Sequence, residues 1–252
     1  MNIYFLGTGA GTEPIRDVHH QSMAIETGGN VYFFDAGDGC ARAAHFSGIN
    51  LLKTKAVFIS HTHMDHVGGL GNLLWNMRKL HSNVDYKGFV CPKTVYIPQI
   101  STFDAYMTIL KNSEGGYDTL FDVSGVEYSK GSFYTDFSMK VESFATNHMQ
   151  NELSFAFRIN CENKTVVYSG DIASVSDLDQ AIGDGCNLLV CETAHVSLRE
   201  VCEYAKQKNA EKLVLTHNGR EVLGSRRQSE LLASNLFGDD AFVAKDGFVL
   251  SL

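Results

Sequence analysis

The chain has 252 residues, enough to bury the core of one α/β domain, with 44% apolar and 20% charged residues and a formal net charge of −8. That charge excludes a general attraction for nucleic acid or anionic membrane, so any polyanion must be met by a local basic patch. No run of eighteen apolar residues appears, and the opening MNIYFLGTGAG lacks a basic stretch followed by a long apolar one, so neither a membrane span nor a secretory leader is expected.

Apolar, β-branched and aromatic runs bounded by turn residues predict strands at 2–6, 22–26, 31–35, 56–60 and 94–98, then at 138–145, 153–159, 165–171, 187–192, 212–217 and 248–252. Helical periodicity predicts helices at 66–80, 101–112, 175–183, 196–208 and 226–237. Strands dominate with helices interspersed, which suggests sheets covered by helices on their outer faces within a single domain, 1–252. Residues 81–135 are the least regular; beyond the strand at 94–98 and the helix at 101–112 they read as loops, able to form a lid or a partner-contact insertion. Six cysteines (Cys40, Cys91, Cys161, Cys186, Cys191, Cys202) contain no Cys-x-x-Cys pair and are too sparse for a disulfide framework, so reduced thiols and a cytoplasmic setting are expected.

The segment FISHTHMDHVGGL, 58–70, places His61, His63, Asp65 and His66 directly after an apolar strand. Such strongly hydrated groups are costly to bury unless each finds a hydrogen-bond partner or a cation sits among them. His61 and His63 alternate by two, so extended backbone projects both to one side, while Asp65 and His66 open the next helix. Two ligand groups a short step apart suit two divalent cations. Other polar groups recur where predicted strands end: Asp35, His148, Asp171 and His217. The plainer readings are a polar turn for 61–66, a helix cap for Asp171, a turn for Asp35, and ordinary buried or surface histidines for His148 and His217.

His61-Thr62-His63-Met64-Asp65-His66 resembles the His-x-His-x-Asp-His signature of the metallo-β-lactamase-fold hydrolases, and later family motifs follow in order over nearly the whole chain. The resemblance implies a four-layer αββα sandwich of two mixed β-sheets flanked by helices. It assigns His61, His63 and His148 to one metal and Asp65, His66 and His217 to a second, with Asp171 bridging and Asp35 orienting a ligand histidine. Imidazole and carboxylate ligands suit zinc first, and manganese or iron also. The stretch 191–221 resembles ribonuclease Z and its phosphodiesterase relatives, where a His-Ser-Thr motif precedes the last metal ligand; here it reads His195-Val196-Ser197. By that resemblance the chain is a phosphodiesterase using a metal-bridging hydroxide, with His195 acting at the scissile phosphate and Asp65 also managing the nucleophile's proton. Alternatively Ser197 merely caps the helix and His195 is exposed.

Arg220, Arg226 and Arg227 are candidates for a phosphate clamp, or else solvate a helix. GTGAGTEP, 7–14, lacks dinucleotide-binding spacing and resembles the family's opening loop. The chain departs from ribonuclease Z at Cys191-Glu192-Thr193-Ala194, where the relative has His-Glu-Ala-Thr, and no Gly-Pro-rich arm for gripping tRNA is visible. A small phosphodiester, such as a cyclic nucleotide or cyclic sugar phosphate, therefore fits better than a large RNA. Two alternatives stand beside this: hydrolysis of a lactone, thioester or β-lactam on the same scaffold, and a non-hydrolytic di-iron or metal-dependent binding protein. Against the latter, redox relatives replace one ligand histidine by a carboxylate, whereas His63 is intact. Analogy also offers a homodimer, with apolar groups around Trp75 or Phe103 as its contact.

Overall fold

The computed structural model describes residues 1–11, 15–83, 93–113 and 122–252. The chain divides into two compact units, the first made of Met1–Gly7, His19–Tyr128 and Gly247–Ser251, the second of Thr8–Val18 and Ser129–Asp246 with Leu252.

The first unit is built on a seven-stranded sheet. Its strands are β1 (Asn2–Gly7), β2 (Ser22–Thr27), β3 (Asn30–Phe34), β4 (Thr54–Phe58), β5 (Lys93–Ile97), β6 (Val123–Glu127) and β14 (Phe248–Ser251), in the order β14-β1-β2-β3-β4-β5-β6. The pairings from β14 to β3 are antiparallel and those from β3 to β6 parallel. The parallel strands read as near-continuous apolar runs because both faces are buried: Val57, Phe58 and Ile59 are all within 1% of full burial. Helices α1 (Cys40–Phe46), α2 (Met64–Val67), α3 (Leu70–Asn83) and α4 (Ile100–Asn112) accompany this sheet. Leu70, Leu73, Leu74 and Met77 recur at helical spacing and are fully buried against Phe33, Val57 and Val95 of the strands.

The second unit carries another seven-stranded sheet, ordered β13-β12-β11-β10-β9-β8-β7. Its strands are β7 (Gly131–Thr135), β8 (Lys140–Ala145), β9 (Phe155–Cys161), β10 (Lys164–Tyr168), β11 (Leu188–Glu192), β12 (Leu213–Thr216) and β13 (Ala241–Val243). From β7 to β10 the pairings are antiparallel, and from β10 to β13 parallel. The two sheets thus repeat one pattern, three antiparallel pairings followed by three parallel ones, although the sequence shows no repeat. Helices α5 (Asp179–Ile182), α6 (Leu198–Gln207), α7 (Arg220–Gly224) and α8 (Arg226–Leu236) accompany it. Val201, Cys202 and Ala205 of α6 and Ala233 of α8 join Leu189, Leu213 and Leu215 in its core.

Four expectations change. The helix expected at 66–80 is two helices, because the chain turns at Gly68-Gly69: a Cβ on Gly69 would lie 2.2 Å from the Gly37 carbonyl oxygen. The region 81–135 is less irregular than its sequence, since β6 and β7 lie in it; residues 84–92 and 114–121 of it, with Cys91, are outside the described residues, as are 12–14 of the opening loop. The strand expected from 138 begins at Lys140, because the Asp136 carboxylate accepts from the Ser138 and Met139 amides and holds a turn there. Phe103 is 6% exposed and packed in the first unit's core, so it is not the exposed apolar contact expected for a homodimer; Trp75 is partly buried on the same core.

Five cysteines are buried with free thiols, and burial pushes Cys40 and Cys186 up to about 12 and Cys161 and Cys202 up to about 11. They are protonated at neutral pH and serve as small apolar residues. No helix among the described residues is long and apolar enough to cross a membrane.

Candidate metal centre

Parallel strands end side by side, and in both units the polar groups singled out in the sequence follow such ends. In the first, Phe34 of β3 pairs with Phe58 of β4, so Asp35 and the Ile59-Ser60-His61 segment leave the sheet as neighbours. Asp35 takes a left-handed φ of 59°, a conformation that aspartate and asparagine tolerate better than most side chains. Its buried carboxylate accepts from the Ser60 amide at 2.6 Å and the Ser60 hydroxyl at 2.8 Å, and lies 2.7 Å from His66 Nδ1. The Ala36 amide donates to the His66 carbonyl at 2.7 Å, and the Tyr128 hydroxyl to the Ile59 carbonyl at 2.7 Å, so both flanks of the motif are fixed.

This network sets the histidine tautomers. His66 Nδ1 faces a carboxylate and therefore carries a proton. The Ser60 hydroxyl spends its hydrogen on Asp35, so His61 Nδ1, 3.1 Å from Ser60 Oγ, must donate to it. In both rings Nε2 is left with its lone pair, the form in which imidazole binds a metal. The His61 ring lies 4.6 Å from that of His63 and 4.1 Å from that of His66, and Asp65 Oδ2 lies 3.7 Å from His66 Nε2. His61, His63, Asp65 and His66 are thus gathered at one place, as the spacing predicts, with Asp35 behind them.

In the second unit Tyr168 of β10 pairs with Val190 of β11, and Glu192 of β11 with Thr216 of β12. The loops after these strands bring Asp171, His195 and His217 together, and His148, after β8, joins them. Asp171 Oδ2 lies 3.5 Å from His148 Nε2 and 3.8 Å from His195 Nδ1, while Oδ1 lies 3.5 Å from His217 Nδ1. The 3.5 Å gaps to His148 and His217 exceed a good hydrogen bond and leave room for a cation between these groups. His217 adopts a left-handed φ of 43°, and its neighbour Asn218 donates its amide to the Thr8 carbonyl and accepts at its own carbonyl from the Ala10 amide. The described part of the 7–14 loop therefore braces the segment bearing His217.

Asp171, Glu192, His195 and His217 each present a ligand atom within 4.8 Å of the others, yet Glu192 is not suited to be a ligand. Fully buried at the end of β11, it accepts from the amides of Ile172, Ala194 and His195 and from His195 Nδ1, 3.0 Å from both its oxygens. Burial pushes the Glu192 carboxyl up, but the hydrogen bond from His195 and the nearby His217 ring, whose Nδ1 lies 3.8 Å away, outweigh it and hold it below its ordinary value. Conversely, the hydrogen bond to Glu192 raises the pKa of His195 against its partial burial. His195 keeps 41% of its side chain exposed, and with Nδ1 committed to Glu192 its outward atom is Nε2. The role of Glu192 was missed in the sequence, where it reads as one more residue of an altered motif.

Ser197 forms a reciprocal cap with Glu200 at the start of α6. Ser197→Ala is expected to cost about 1 kcal/mol in urea unfolding with turnover unchanged, since the hydroxyl is spent on the helix. Arg220 and Arg227 are exposed on α7 and α8. Arg226 is committed to Glu230 at 3.0 Å and to the Val243 carbonyl, which ties α8 to β13 and removes it from the expected phosphate clamp.

A ribonuclease Z of Pyrococcus horikoshii is 27% identical over 275 residues, covering 86% of each chain. One from Methanothermobacter thermautotrophicus is 28% identical over 158 residues, and there the match spans 62% of this chain and only 48% of the relative's length. Among solved structures, the metallo-β-lactamase fold protein YhfI from Bacillus subtilis superposes with a TM-score of 0.79 at 21% identity, over 99% of this chain and 98% of that one. Two mixed sheets with flanking helices define the metallo-β-lactamase fold, and the imidazoles and carboxylates at the strand ends could hold metal ions. Residues 1–233 match the family model described as "Anti-Pycsar protein Apyc1". The chain belongs to that family.

Proposed function

We propose that the chain is a dinuclear metal-dependent phosphodiesterase acting on a small phosphodiester, such as a cyclic nucleotide or cyclic sugar phosphate. In this reading His61, His63 and His148 hold one divalent cation, Asp65, His66 and His217 the other, and Asp171 serves both, the assignment that the motif resemblance implies. The tautomers fixed by Asp35 and Ser60 support it, because they leave the ligand atoms unprotonated. Zinc suits this donor set best, and such cations would supply a Lewis acid for the phosphoryl oxygens and a water acidified towards neutrality.

The observation that carries the phosphodiester reading is the Glu192–His195 pair. Glu192 holds Nδ1, and its negative charge favours the protonated ring, so Nε2 is placed to give a proton to a departing oxygen or to face charge on phosphorus. Asp65, partly exposed beside His66, would take up the proton of the attacking water. The net charge of −8 and the commitment of Arg226 favour a small ester over a long RNA.

The test is hydrolysis of bis-p-nitrophenyl phosphate by protein loaded with zinc, manganese or iron. Turnover that vanishes with chelator and returns with metal is expected; silence with every metal, alongside activity on a lactone or thioester panel, would overturn the reading.

A further inference from the structure

The second unit contains a carboxylate outside the ligand set that ties two ligand-bearing loops to each other. His148 follows Asn147 in the loop after β8, and Asp171 precedes Ile172-Ala173 in the loop after β10, 23 residues further along the chain. Asp177 touches both loops. Its Oδ2 accepts from the Asn147 amide at 3.1 Å and the Ala173 amide at 3.0 Å, while its Oδ1 accepts from Asn147 Nδ2 at 2.5 Å. A short 3-10 turn, Val175–Leu178, delivers it: the Asp177 amide donates to the Ser174 carbonyl, folding the carboxylate back onto Ala173 four residues earlier.

We propose that Asp177 is a positioning residue that sets the separation of His148 and Asp171, and hence the metal affinity of the pair; this rests on the metal reading above. Asp171 is held on three sides. The Thr146 hydroxyl lies 2.8 Å from its carbonyl, the following Ile172 amide is taken by Glu192, and the Ala173 amide by Asp177. The same Thr146 hydroxyl, which also bonds Ser154 Oγ at 2.8 Å, holds the His148 loop two residues before the ligand. The Thr146 amide bonds the Ser154 carbonyl on one side of His148, and Asn147, directly before it, is held at both backbone and side chain by Asp177. A cation site tolerates ligand displacements of only roughly 0.5 Å, so loss of this tie lets the His148 loop move out of range.

Hydrogen-bond geometry, more than the charge itself, carries the effect, and this separates two substitutions. In Asp177→Ala every bond is lost. In Asp177→Asn a single amide oxygen at the Oδ2 position keeps both backbone donors, and Asn147 needs only turn its side-chain amide to accept from the new NH2 group. Asn147→Ala deletes the side-chain bond alone.

Zinc affinity of the full chain, measured by competition with a chromophoric chelator, reads this out without reference to turnover. Asp177→Ala is expected to bind about 10- to 100-fold more weakly than wild type, the range for loss of a group that orients a ligand. Asn147→Ala should fall between, and Asp177→Asn should retain most of the affinity. Thermal unfolding in excess chelator runs alongside: a variant with a lowered midpoint but unchanged zinc affinity has lost only structure, and that result overturns the proposal. Should Asp177→Ala fail to fold, Asn147→Ala decides, and wild-type affinity in it also overturns. His148→Ala is the control for the parent reading. If it binds zinc as wild type does, the metal assignment fails; if it loses zinc while Asp177→Ala does not, only the role of Asp177 fails.

Discussion

Replacing His195 by alanine is expected to slow hydrolysis of an alkyl phosphodiester by about 10²- to 10⁴-fold, the usual worth of a positioned proton donor, and to slow bis-p-nitrophenyl phosphate far less. Nitrophenolate is stable enough to depart unprotonated, whereas an alkoxide needs the proton that Nε2 carries. Metal content should not change, because Nδ1 is bound to Glu192. Glu192→Gln should move activity in the same direction by weakening that hold, though its burial adds a stability cost. Equal losses on both esters would instead assign His195 to charge stabilisation at phosphorus, and no loss on either would remove it from the mechanism.

Asp35→Ala is expected to cost about 3–5 kcal/mol of stability, the range for removing one partner from a buried charged network. Three donors lose their acceptor at once, and alanine is also poorly suited to the left-handed backbone there. Asp35→Asn is the more informative variant. Asparagine accepts that backbone and, with its oxygen towards the Ser60 amide, presents an NH2 group to His66 Nδ1. Two facing hydrogens are forbidden, so the His66 proton moves to Nε2 and blocks the ligand atom. A protein that still folds but has lost most of its second-site metal by elemental analysis is the expected outcome; a full metal complement in folded Asp35→Asn would exclude the tautomer argument.

What the sequence revealed, and what it hid, follows from the range of the interactions involved. His61, His63, Asp65 and His66 are readable because one strand end and one turn place them, and Asp171 and His217 because each stands just past an apolar run. Helix α1 gives no start signal: it is short, and it is entered through Gly39 at φ 85° without a side-chain cap. β6 and β7 are exposed and carry glycine and serine, so their strand character comes from pairing with β5 and β8 more than from their own residues. Glu192 looks like part of a buried strand until Ile172, twenty residues earlier, and His195 are seen to converge on it. Asp177 is hidden for the same reason, one bond being local and two reaching back thirty residues to Asn147.

The pairing of β14 with β1 bears on how the molecule is made. Asn2 lies opposite Ser251 and Phe5 opposite Phe248, so the outer edge of the first sheet is covered only by residues synthesised some 240 positions later. During translation β1 waits with one row of amides and carbonyls open, the condition under which nascent chains pair with wrong neighbours. Contacts this distant in sequence are rewarded late and slow the approach to the native state, so refolding yield should depend strongly on protein concentration.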